Sequence, residues 1–62
     1  MMLLMYHDER KEFPCRLAAM NDDGSMIYST ISRDDAGAIR MMSRHVDRTE
    51  DEIRKMLGRN KR

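Results

Sequence analysis

The chain is poor in the residues that usually reinforce a small protein. It has one cysteine, one proline, three glycines, three aromatic residues and no tryptophan in 62 residues. A single cysteine, Cys15, excludes an internal disulfide. With His7 and His45 it makes three soft ligand candidates, one short of a zinc-binding Cys/His quartet, so neither metal nor cofactor is expected. Long apolar runs are also missing. Met1 to Tyr6 is apolar, but His7-Asp8-Glu9-Arg10-Lys11-Glu12 follows at once. A spanning helix needs about 20 apolar residues, and a secretory signal needs a positive start and a longer apolar stretch. No membrane partner is expected, and a lone thiol suits a reducing compartment, so the expected location is cytoplasmic.

A chain this short makes one domain, residues 1–62. A domain of its size buries only about 60% of the surface its unfolded chain exposes. With no staple in view, oligomerisation is the common remaining way to complete so small a core, and a homodimer is expected.

There is no excess of one charge either: twelve Lys and Arg stand against eleven Asp and Glu, a net charge of +1. The balance hides an asymmetry. Residues 1–32 carry three basic and five acidic side chains, whereas residues 33–62 carry nine basic and six acidic. Arg54, Lys55, Arg59, Lys61 and Arg62 crowd the last ten residues with no acid among them. An acidic front is joined to a basic tail, residues 58–62.

The local patterns divide the same way. Pro14 blocks helix through Phe13–Cys15. Asn21-Asp22-Asp23-Gly24 is a concentrated turn signal, because Asn and Asp tolerate left-handed backbone and Gly adopts it freely. Met26–Ile31 is rich in β-branched and aromatic residues. A hairpin pairing 15–20 with 25–31 follows. Residues 1–13 fit an extra strand, a short helix or a flexible segment. Further on, Ile39, Met42 and Val46 recur on one helical face, with Ala36 a turn earlier and Ser32 or Asp34 as cap. Thr49 and Glu52 have capping-box spacing and open a second helix with the stripe Ile53, Met56 and Leu57, with Gly58 as an ending or fraying point. The expected fold is α+β: an N-terminal β-hairpin or short meander followed by two short helices, as a dimer.

Catalytic signatures are missing. There is no Gly-rich phosphate loop, no His-Glu-x-x-His pair, and no base placed beside Cys15, which reads as a core thiol next to Arg16. Asp22-Asp23 and Asp34-Asp35 read as turn and helix-start residues, and His45 as a solvated or interface histidine. Met41 and Met42 are adjacent, so one of them faces away from the core. The protein is expected not to be an enzyme.

The order strand–helix–turn–helix over residues 26–57 resembles ribbon-helix-helix DNA-binding proteins. Met26–Ser32 stands for the strand, Ile39-x-x-Met42-Ser43 for the first helix, Asp47-Arg48-Thr49 for the turn and Asp51-Glu52-Ile53 for the second helix. Met42, Ser43, Val46, Ile53 and Leu57 are similar in spacing to helix-turn-helix proteins as well. Either resemblance implies a small transcriptional regulator that binds double-stranded DNA as a homodimer. Its phosphate contacts would come from Arg44, Arg48, Arg54, Lys55, Arg59, Lys61 and Arg62. In the ribbon version Met26, Tyr28 and Thr30 would project outward, and Tyr28 and Thr30 would read the groove. Against that pattern, Asp47 replaces the turn glycine, and Glu50-Asp51-Glu52 occupies the helix start where a phosphate would sit. The competing expectation is a small protein-binding inhibitor or adaptor, of the kind phages and plasmids encode. It would meet a host or partner protein through the acidic hairpin and a methionine-rich surface.

Overall fold

The computed structural model describes residues 1–60, with side chains through Gly58. Three strands, β1 (Met2–His7), β2 (Cys15–Met20) and β3 (Met26–Ser32), form one antiparallel sheet in the order β1-β2-β3. Two helices follow, α1 (Asp35–His45) and α2 (Glu50–Asn60). The α+β expectation holds, in its meander form, and the first segment takes the strand alternative.

The turn between β2 and β3 works as its residues dictate. Gly24 has φ +89°, a conformation costly for any residue with a Cβ. Its N–H donates to the Asn21 carbonyl at 2.9 Å, and the Asn21 N–H donates to the Ser25 carbonyl at 2.8 Å. The Asp23 carboxylate accepts from the Ser25 N–H at 2.9 Å and from its hydroxyl at 2.7 Å. Those bonds hold the Asp23 carboxyl below its ordinary range, the hydroxyl contributing most.

Pairing then sets which side chains share a face. Leu3 faces Ala19, Met5 faces Leu17 and His7 faces Cys15 across β1 and β2. Ala19 continues to Tyr28, Leu17 to Thr30 and Cys15 to Ser32 across β2 and β3. These three rows form the face that the helices cover: α1 lies over β2 and β3, and α2 over β1. The core is built from Leu3, Cys15, Leu17, Ala19, Ala38, Ile39, Met42, Ile53 and Leu57. Two helices are enough to seal one side of a three-stranded sheet, and among the described residues no element covers the other.

Both helices start on caps visible in the sequence. Asp34 caps α1, its carboxylate accepting from the Gly37 N–H at 2.7 Å. A Cβ at Gly37 would run into the Ser32 hydroxyl, which would have to turn aside to admit one. At α2 the capping box is complete: the Thr49 N–H donates to the Glu52 carboxylate and the Glu52 N–H to the Thr49 hydroxyl, both at 3.1 Å. The Thr49 N–H, helped by the Thr49 hydroxyl, holds the Glu52 carboxyl below its usual range.

Two local expectations need correction. Ala36 is exposed, and Ala38 takes the buried place one residue from Ile39. Gly58 does not end α2, which continues to Asn60. An exposed glycine costs a helix interior only about 1 kcal/mol, and here the preceding packed turn carries the helix past it. Met42 is the core methionine and Met41 is half-buried.

Candidate functional site

The uncovered face of the sheet is assembled by the same register. Met2 opposes Met20, Leu4 opposes Ala18, and Tyr6 opposes Arg16. Across β3, Met20 meets Met26, Ala18 meets Ser29 and Arg16 meets Ile31. A bulge at Ala19/Met20 inserts one extra residue in β3, and Ile27 joins Met26 beside Met20. The result is a mainly apolar surface with Arg16 and Ser29 as its polar members. Met2, Leu4, Tyr6, Met26, Ile27 and Ile31 are each 40–62% exposed. At one end Phe13, 42% exposed, extends the patch, and the Arg33 guanidinium lies 5.7 Å from its ring centroid. Tyr6, Phe13, Arg16 and Ile31 enclose a shallow hollow of about 290 Å³ there. β1 and β3 are both edge strands.

The residues expected to contact DNA are scattered. Tyr28 and Thr30 do not project outward; they are half-buried on the helix-covered face. The Tyr28 ring stacks on His45 with centroids 3.9 Å apart and planes within 6°. The bulge is the physical reason, because it puts Met26 and Tyr28, two residues apart, on opposite faces. Arg44, Arg48, Arg54 and Lys55 are exposed. Arg54 is engaged within α2 by Glu50 at 3.4 Å and Asp51 at 3.3 Å. Arg48 donates to the Asp47 carbonyl at 2.8 Å. Arg40 and Arg44 lie one turn apart on the exposed side of α1, with no ion pair among the described residues. The Arg59 side chain, Lys61 and Arg62 lie outside the described residues.

A third feature arises where the strands end. Register brings His7, Cys15 and Ser32 into one row on the covered face, and the chain leaves Ser32 directly into α1. Asp35 in the first turn of α1 therefore reaches the same spot. Its carboxylate lies 2.7 Å from His7 Nε2 and accepts from the Cys15 thiol. Cys15 is 1% exposed. Burial, reinforced by the Asp35 and Asp34 carboxylates, pushes its thiol up to about 11. Such a thiol carries almost no thiolate near neutral pH, which removes it as a free nucleophile. Cys15 is a core residue, as expected, but its neighbours are His7 and Asp35, while His45 stands at the other end of α1. Sequence spacing could not find this trio, since three separate elements supply it.

Comparison of the chain with protein-family models, curated proteins and solved structures finds no match. Among the described residues no helix is long and apolar enough to cross a membrane.

Proposed function

We propose that the chain is a small protein-binding module that works as a homodimer, with the open face of its sheet as the interface. The observation that carries this reading is the set of exposed apolar side chains on one sheet face, Met2, Leu4 and Tyr6 on β1 and Met26, Ile27 and Ile31 on β3, on either side of Ala18 and Met20 of β2. Soluble monomers seldom leave a contiguous apolar surface of this kind uncovered, and large ones mark interaction sites. Two such sheets stack face to face about 10 Å apart, with each pair of helices on an outer side. A twofold axis makes the patch complementary to itself, and Arg16 keeps its guanidinium at the rim while its stem packs. Methionines suit this surface because they adapt to a partner's shape.

Binding of double-stranded DNA is the second reading. It is favoured by Arg40 and Arg44, which would stand on the outer sides of such a dimer. Phosphate contacts of this sort are salt-dependent, because each neutralised phosphate releases counterions.

Mass in solution, measured with and without a DNA duplex at two salt concentrations, separates the two. The module reading expects a dimer whose mass ignores the duplex, and a folded monomer for Ile31→Glu. A wild-type chain that stays monomeric at about 100 μM, far above the Kd of a stable dimer, overturns it. The DNA reading expects duplex binding that weakens steeply with salt and is lost in the Arg40→Ala/Arg44→Ala double variant.

A further inference from the structure

The trio at the end of the sheet combines three kinds of metal ligand: an imidazole, a thiol and a carboxylate. His7 comes from the end of β1, Cys15 from the start of β2 and Asp35 from the first turn of α1. One ligand atom from each lies within 4.8 Å of the others, the one such cluster among the described residues. We propose that His7, Cys15 and Asp35 bind a zinc ion, with the fourth coordination position open to solvent.

Geometry is the first argument. Zinc bonds to nitrogen, oxygen and sulfur of about 2.0–2.3 Å put tetrahedral ligands about 3.3–3.8 Å apart. The trio's separations run from the 2.7 Å His7–Asp35 hydrogen bond to no more than 4.8 Å. The adjustments needed fall on the movable groups, because the His7 and Asp35 side chains are 49% and 50% exposed. Cys15 is the fixed point. The His7 imidazole and the Cys15 thiol both meet the Asp35 carboxylate, so one carboxylate already joins the three groups.

Charge and chemistry point the same way. A thiolate with an imidazole favours zinc over magnesium or calcium, which take oxygen ligands. Thiolate and carboxylate together neutralise a dication, and the Asp34 carboxylate close by adds to the field at Cys15. Two full negative charges outweigh the partial positive charge at the start of α1. His7 and Asp35 also line a groove of about 540 Å³ between β1 and the helices, with Leu3, Ile39, Arg54 and Leu57 further in. The fourth position opens toward it, which leaves room for a water molecule or a small anionic ligand. Loading the site would tie β1, β2 and α1 at one point, the reinforcement that a core of this size otherwise lacks.

Two titrations test this on the whole chain freed of metal by a chelator. Cobalt(II) as a spectroscopic probe should bind one equivalent and produce a thiolate-to-cobalt charge-transfer band. Zinc, measured against a chromogenic chelator, should bind one equivalent, more tightly as pH rises because the thiol proton must leave. At a hundredfold excess of free zinc over its Kd, the Tm should rise on the order of 10 °C. His7→Ala and Asp35→Asn, both at half-exposed positions, should keep the fold by circular dichroism and lose at least tenfold in zinc affinity. Cys15→Ser should abolish the charge-transfer band. Absence of that band in the wild-type chain, or zinc affinity unchanged in both His7→Ala and Asp35→Asn, overturns the site.

Discussion

The two faces of one sheet carry similar numbers of apolar side chains and stand in different surroundings. On the covered face, Leu3, Leu17 and Ala19 are sealed by Ala38, Ile39, Met42, Ile53 and Leu57. On the open face, Met2, Leu4, Met26, Ile27 and Ile31 meet solvent. Composition does not separate them, because methionine, leucine and isoleucine do the same chemistry on both. Helix placement separates them. The covered face also holds the polar end of the sheet, His7, Cys15 and Ser32, whereas the open face has Arg16 and Ser29. The difference teaches that one side of the strands supplies the core while the same kinds of side chain on the other side stay in solvent.

The sharpest way to break the comparison is to truncate one residue on each face. Leu17→Ala removes a fully buried side chain and should cost about 2–5 kcal/mol, enough to unfold much of so small a domain in a urea titration. On the open face, Leu4→Ser should change the monomer's unfolding free energy in urea by no more than about 0.5 kcal/mol, while weakening self-association measured by sedimentation.

The second prediction sharpens the covered face through pH. The Cys15 thiol is raised to about 11 in the folded chain from an ordinary value of 9.0. Between these values the unfolded chain has released a proton that the folded chain retains, so stability falls as pH rises. The contribution is fully present below pH 9 and is lost toward pH 11, on the order of 1–3 kcal/mol. Denaturation midpoints measured from pH 8 to 11 should show this decline, and Cys15→Ala should flatten it.

Smaller effects lie at the helix start that supports the covered face. Thr49→Ala removes half of the capping box and should cost about 1 kcal/mol by thermal denaturation. The Glu52 carboxyl is held low by that box, so its contribution is present above its ordinary value and fades as pH falls below it. Thr49→Ala should therefore lose less on acidification than the wild-type chain does.

Much of the fold is legible in particular residues. Asn21-Asp22-Asp23-Gly24 specifies the turn, Asp34 and the Thr49/Glu52 pair mark the helix starts, and Cys15, Leu17 and Ala19 alternate as a half-buried strand should. β1 is illegible for a physical reason. Leu3 and Met5 face the core while Met2, Leu4 and Tyr6 face out, so both faces are apolar and the period of two disappears. β3 misleads because the bulge at Ala19/Met20 shifts its parity, sending Ile27 and Ile31 outward and Tyr28 and Thr30 inward. A sequence contains no mark for an extra residue in a ladder.

The sequence by itself determined the hairpin of β2 and β3, its turn and the two helices, because caps, turn residues and periodicity act over a few neighbouring positions. It also determined that the front is acidic and the back basic. Only the tertiary structure decided which apolar residues are core and which are surface, since that depends on where two helices land. The meeting of His7, Cys15 and Asp35 was decided there too. It rests on strand register and on the direction in which α1 leaves the sheet, and these are relations between segments that no local pattern encodes.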